Sequence, residues 1–292
     1  MEILVPRDIE LLGCNVPEDD APEWAADVDY SAGEQAMVAA EHAVYEAVTD
    51  STNVYPPDDV SADAPKWVAV GPTNRWRMFE NTIWRTTDQD GSIVVDLAGG
   101  MCDGVALFNA QGATARVDLL MDDVTTWTTE KRLLRPVYSY TDYFFSRPVR
   151  TKDVLIRIPR HAVVTVRISI FGSPARLGKV VPGRLHTIGG TEYGGKLSPL
   201  GFSKYVRDEY GGVTVKQGRV GKYLSGNVFI ERQHLNYVAQ VFSDIEGKVT
   251  VVRGYDESDL QAGMVCGVVT DAYVSPVSAV HASGYIEIEG LV

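Results

Sequence analysis

After residue 90, apolar and polar positions alternate with a period of two through several short runs. ARVDLLM (115–121), DVLIRIP (153–159) and AVVTVRISIFG (162–172) carry this pattern, with Val164, Val166, Ile168 and Ile170 on one side. That spacing predicts half-buried strands, because successive side chains of a strand point to opposite faces. SIVVDL (92–97) and GVALFNA (104–110) read as further strands. So do GVTVKQGR (212–219), SGNVFIER (225–232), GKVTVVRGY (247–255), MVCGVVTDAYV (264–274) and GYIEIEGLV (284–292). Between them, ERQHLNYVAQVFSDIEG (231–247) changes period. Leu235, Val238, Val241, Phe242 and Ile245 form one helical stripe, which predicts a single helix packed on a sheet. Runs of strands with one helix indicate an α+β unit rather than alternating βαβ units.

Punctuation divides the chain. Residues 1–21 form an N-terminal arm whose MEILVP stretch is expected to add an edge strand or to dock on a neighbour. Residues 22–71 form a small module flanked by Trp24 and Trp67. Its centre, SAGEQAMVAAEHAVYEAV, has the propensity of a helix, yet also fits two short strands with a turn near Ala40–Glu41. DSTNVYPPDDVSADAP (50–65) is rich in turn formers and predicts a loop. Residues 72–178 are expected to be one β domain, in which 127–150 is a long loop or irregular edge. SPARLGKVVPG (173–183) is a seam, and 179–292 is a β-rich domain with one helix. The expected class is mainly β.

Charge narrows the function classes. The chain has 292 residues and a formal net charge of −12. A general nucleic-acid binder presents a basic face. Here the basic clusters, Arg75/Arg77 and Lys131/Arg132/Arg135, are short and interleaved with acids, so no nucleic-acid partner is expected. No run reaches the 18 apolar residues of a membrane span, and the first residues lack the pattern of a signal peptide. Three widely spaced cysteines, Cys14, Cys102 and Cys266, make no C-x-x-C pair; Cys102 and Cys266 lie in apolar runs and are expected in the core.

Familiar chemical motifs are missing. There is no G-x-G-x-x-G after a strand, no P-loop and no G-x-S-x-G elbow. His42, His161, His186, His234 and His281 are scattered, with no metal-ligand spacing. The acidic pairs that a glycan-cutting enzyme would need fall in turn-like stretches: Asp88/Asp90, Asp122/Asp123, Asp142 and Asp256/Glu257/Asp259. Calcium binding by Asp88, Asp90, Asp122 and Asp123 lacks the hand-type loop pattern. No catalytic residue, metal or cofactor is expected.

Aromatic residues crowd the small module: Trp24, Tyr30, Tyr45, Tyr55 and Trp67, followed by Trp76, Phe79 and Trp84. Exposed, such rings stack on sugars or on protein; buried, they are the core of a small domain. The order P-x-W-x(5)-Y-S-A-G, V-Y-E-A-V, N-x-x-P-P, P-K-W-x-x-V-G resembles the small chitin- and cellulose-type carbohydrate-binding modules. The resemblance implies a three-stranded fold, strands in place of a helix over Glu34–Val48, and sugar contacts from Trp24, Tyr30, Tyr45, Tyr55 and Trp67. The alanine-rich centre departs from that pattern.

A second motif follows. Gly71–Glu80, GPTNRWRMFE, resembles a signature of tail-tip and baseplate-associated proteins of long-tailed bacteriophages. GFSKYVRDEYGGVTV (201–215) resembles the same group. The resemblance implies a galactose-binding-like jelly-roll β-sandwich for residues 72–178, location in the virion tail after synthesis in the host cytoplasm, and other tail proteins as partners. It also implies a ring of identical copies and host-surface glycan as a secondary ligand. On the residues themselves, Asn74 is expected to bond its own backbone and brace a turn. Arg75 and Arg77 would flank Trp76 on an extended segment, as an interface or a domain brace. The function expected is thus a structural component without turnover. The alternatives are a depolymerase with an appended binding module and a stand-alone carbohydrate-binding protein.

Overall fold

The computed structural model describes residues 1–8, 10–134, 139–145, 150–160, 165–254 and 263–292. Its strands fall into two large antiparallel sheets and three small ones. The larger runs in the order β12 (Val154–Arg157), β9 (Gly104–Phe108), β14 (Lys179–Thr187), β1 (Glu2–Pro6), β20 (Val249–Arg253), β21 (Met264–Pro276), β22 (His281–Gly290), β19 (Val220–Glu231) and β15 (Gly190–Thr191). β16 (Lys196–Gly201) also pairs with β19. The second sheet is β11 (Val124–Arg132), β10 (Thr114–Met121), β13 (Thr165–Leu177), β8 (Thr87–Ala98) and β2 (Leu11–Cys14). β4 (Gln35–Val38), β5 (Ala43–Ala47) and β7 (Trp67–Pro72) make a three-stranded sheet. β3 (Asp29–Tyr30) pairs with β6 (Ser51–Thr52), and β17 (Lys204–Arg207) with β18 (Val213–Lys216). Three helices accompany them: α1 (Pro56–Asp59), α2 (Tyr140–Phe145) and α3 (Leu235–Ile245).

The period-two runs become strands where they were expected. Val166, Ile168 and Ile170 of β13 meet Ile93, Val95 and Leu97 of β8 and Val117 and Leu119 of β10 in one core. Across from them lie Val105 and Leu107 of β9, Ile156 of β12 and Val180 of β14. The five-stranded sheet therefore packs on one end of the larger sheet. On the same face, further along, α3 buries Val238, Val241, Phe242 and Ile245 against Ile3, Leu224, Val228 and Ile286. Each such side chain stabilises by about 2 kcal/mol on leaving water. The opposite face holds Leu4, Phe108, Val181, Val251, Met264 and Cys266. Lys222 of β19 reaches Asp153 beside β12, so the larger sheet curls enough to bring its two ends together.

Two expectations change, and two open alternatives resolve. The MEILVP stretch is no edge strand: β1 lies inside the larger sheet between β14 and β20, with Ile3 and Leu4 buried. Its backbone is paired on both flanks, and its alternate residues serve the cores on the two faces of the sheet. Of the stretch 127–150, expected as a long loop or an irregular edge, residues 127–132 belong to β11, the edge strand of the five-stranded sheet, held by an irregular ladder to β10. The division expected at residue 178 does not separate two sheets, because β9 and β12 lie in the sheet that also contains β19–β22. The seam is instead a crossing point, where the chain leaves β13 in one sheet and turns at Gly178 into β14 in the other. A side chain at Gly178 would meet the Ile83 carbonyl at 2.4 Å. In the small module, where helix and two strands were both open readings, the alanine-rich centre folds as the strands β4 and β5; β5 is the middle strand, with Val44 and Tyr45 both buried.

Candidate functional site

The aromatic residues expected to hold sugar are mostly structural. Trp67 has no exposed surface; its Nε1 donates to Ser51 Oγ at 3.1 Å, and Tyr30 meets it edge-on at 5.1 Å. Tyr30 and Tyr45 are buried in the same cluster, with Trp24 and Tyr55 half-buried at its edge in a T-shaped pair. No face of Trp67, Tyr30 or Tyr45 is open to stack on a pyranose ring. A sheet of three short strands needs large side chains on its inner side to form any core.

The Gly71–Glu80 segment is a brace within the chain. Gly71 has φ +144°, a conformation that favours glycine. The chain then turns and enters a 3-10 helix at Arg77–Phe79, so the segment is not extended. Asn74 does not bond its own backbone. Its side chain donates to the Asp88 carbonyl at 2.8 Å and accepts from the Asp88 amide at 2.9 Å. Arg75 Nε donates to the Val16 carbonyl, and Arg77 pairs with Asp20 at 3.0 Å. Trp76 stacks on His42 at 4.2 Å, and His42 bonds Glu18. These residues thus join the 16–20 connector, the small module and β8.

Two concavities carry charge. A groove of about 1070 Å³ is lined by Glu2, Asp103, Arg157, Arg160, Arg253 and Tyr193. Its carboxylates are already engaged: Glu2 by Arg157 and Arg253, Asp103 by Arg160 and the Leu185 amide. A second cavity of about 350 Å³ is floored by Phe108, Met264 and Cys266, and the Lys222–Asp153 pair lies at its wall. Burial pushes the Cys266 thiol up to about 12 and the Lys179 amine down. Lys179 donates to the Glu80 carbonyl and Asn81 Oδ1.

The remaining candidates stay apart. His186 bonds the Tyr237 hydroxyl at 2.6 Å, and desolvation lowers its pKa. His281 bonds Ser278 and stacks on Phe229. Asp122 and Asp123 form the β10–β11 turn, both at positive φ, while Asp88 lies in β8 beside Arg176. Among the described residues, no group of three or more His, Cys, Asp or Glu is placed to hold a metal. His161, Val164, Arg135, Asp256, Glu257, Asp259 and the side chain of Asp142 lie outside the described residues.

The surface that differs from the rest of the molecule is the β17–β18 hairpin. Valine, threonine and tyrosine favour strands here. The turn is built by Asp208, whose Oδ1 accepts from the amides of Tyr210 and Gly212, while Gly211 takes φ +84°. The hairpin continues the β16–β19 ladder after a break. Two residues separate Gly201 from Lys204 and three separate Lys216 from Val220, a bulge-like irregularity. It extends about 25 Å from the ladder to its tip. Every residue from Lys204 to Gln217 is exposed, including Tyr205 at 71% and Tyr210 at 96%. Tyr205, Arg207, Val213 and Val215 share one face, Val206 and Thr214 the other. Among the described residues, neither outer edge has a partner strand.

A second open surface lies on the larger sheet, on the face away from α3. Phe229, Tyr273 and Tyr285 form aromatic rows there, with Tyr273 and Tyr285 stacked at 5.4 Å. Asp271, Glu287 and Glu289 border them. The sequence pattern identified these strands and the hairpin strand. It did not show that both faces of the hairpin, or this face of the sheet, would remain uncovered. The one clue was the adjacency of apolar residues at Tyr205 and Val206, where a half-buried strand would alternate.

Comparison with family models, with curated proteins and with solved structures gives no match to this chain. The viral, baseplate and carbohydrate-binding labels implied by resemblance are corrected accordingly: no match carries them to this sequence, and the rings on which sugar contact rested are largely enclosed.

Proposed function

We propose that this chain is a structural component of a multi-protein assembly, holding its neighbours through the projecting hairpin and an uncovered sheet face, without turnover. The hairpin carries this reading. An isolated two-stranded ribbon is marginal in water, and this one exposes Tyr205, Val206, Val213 and Val215 with no third strand or helix behind it among the described residues. Contiguous apolar surface of that kind marks contact sites between proteins. The test is cross-linking with mass spectrometry on purified particles, followed by imaging. The expected result is a set of cross-links from Lys204 and Lys216 to a neighbouring chain. Recovery of the protein only in free form overturns the reading.

A further inference from the structure

We infer that the cavity between Phe108, Met264 and Trp84 is a binding site for a small apolar monocarboxylate, seated with its carboxylate on Arg219. The site is independent of the hairpin and of the assembly reading. It opens where the two ends of the larger sheet meet, with Val220–Lys222 of β19 on one side and Phe108, Asn109 and Asp153 on the other. Two lining positions, Gly221 and Gly290, carry no side chain. A Cβ at Gly221 would meet the Gly290 carbonyl at 3.0 Å and Val292 Cγ2 at 3.4 Å. The strands therefore leave room that a close-packed core would fill. The volume of about 350 Å³ falls within the range of small-ligand sites, roughly 300–1,000 Å³. Since about 150 Å³ holds a benzene ring, the space takes an apolar body of about two rings.

Charge at the mouth selects the head group. The Arg219 guanidinium lies over the Trp84 ring, 3.4 Å from its centroid, and Arg85 approaches the same ring at 5.0 Å. Stacking fixes the guanidinium while its in-plane N–H groups stay available to a carboxylate in a bidentate pair. The neighbouring charges are already answered within the chain. Arg85 lies 3.8 Å from Glu80, and Lys222 pairs with Asp153, which also accepts from the Asn109 amide. The main-chain oxygen of Val292, at the wall, accepts from the Ile83 amide. Among the described residues, no carboxylate side chain lies within ion-pairing distance of Arg219, whose contact is the Trp84 ring. The Cys266 thiol at the floor is kept protonated by burial, with its pKa pushed up to about 12, so the ligand is held without a covalent step.

Isothermal titration of the intact chain with naphthoate, two fused rings bearing one carboxylate, tests this at about pH 7.5, where the acid is ionised. One equivalent is expected to bind with a Kd on the order of 100 μM. Naphthamide has the same shape and no charge, and is expected to bind about ten-fold more weakly, because it cannot form the charge-assisted pair with Arg219. Arg219→Gln should lower affinity for the acid about ten-fold and leave affinity for the amide unchanged, a split that a general loss of structure does not produce. Val220→Trp, at a rim position that is 62% exposed, should fill the mouth and abolish binding of both. Circular dichroism checks that each variant folds. No heat of binding with naphthoate at about 2 mM overturns the inference. So does equal affinity for acid and amide, or binding undiminished in either variant.

Discussion

At Trp67, an indole with no exposed surface fills the centre of a sheet only three strands wide, and Ser51 satisfies its N–H. Trp67→Ala is expected to cost about 3–5 kcal/mol in the unfolding of the small module, measured by denaturant titration. Asn74→Ala removes both side-chain bonds to Asp88 and leaves its main chain short of partners; about 1–3 kcal/mol is expected by the same measurement. Cys266 sets an alkaline limit. Its folded pKa of about 12 lies above the ordinary thiol value of 9.0, so the folded state keeps a proton that the unfolded chain releases. Stability from this group is complete below pH 9 and is lost as pH rises toward 12, by at most roughly 4 kcal/mol. Lys179, with a depressed pKa, works in the opposite sense over the alkaline range. Cys266→Ala isolates the thiol: its stability should decline less than that of wild type between pH 9 and 11 in urea titrations. The types and spacing of the module's aromatic residues were legible in the sequence, but their orientation was not. Val44 and Tyr45 are neighbours on β5 and both are buried, so alternation could not say which side faces water.

Among the elements, α3 was the most legible. A helix needs only local spacing to announce itself, and the four buried residues of the stripe are those the period selects. β11 was hidden because its residues are mostly exposed threonines and charges, so no apolar alternation marks an edge strand of this kind. The position of β1 was hidden for another reason: Ile3 pairs with His186 and Val252, and no local pattern encodes partners so far along the chain. Ile3→Ala should cost about 2–4 kcal/mol, more than an edge position would, as read from the shift in denaturation midpoint. The hairpin predicts the reverse. Replacing residues 203–217 by a short turn should change the unfolding free energy by less than about 0.5 kcal/mol, since nothing in the cores touches it. A loss of several kcal/mol would show that the hairpin supports the fold.

For the molecule as a whole, two layers meet on one curled sheet: the five-stranded sheet at one end and α3 at the other. The mainly β class and α3 were readable from sequence. The continuity of the larger sheet across residue 178 was not, because the chain leaves that sheet and returns to it. Net charge acts at this scale as well. With a sequence pI near 4.9, the chain should be least soluble close to pH 5, where repulsion between copies vanishes. A turbidity series across pH 4–8 checks this.

The interior place of β1 bears on how the chain is made. On the ribosome this strand emerges before any of its partners, and its second neighbour, β20, follows only after nearly 250 further residues. At cellular elongation rates that is a wait of roughly 10–50 s. Until β14 follows, the Met-Glu-Ile-Leu-Val segment has neither partner strand, and its β20 flank stays open through the whole interval, in reach of chaperones or of nascent chains on the same message. Its capture, rather than the collapse of the sandwich, should set the pace at which the finished sheet closes.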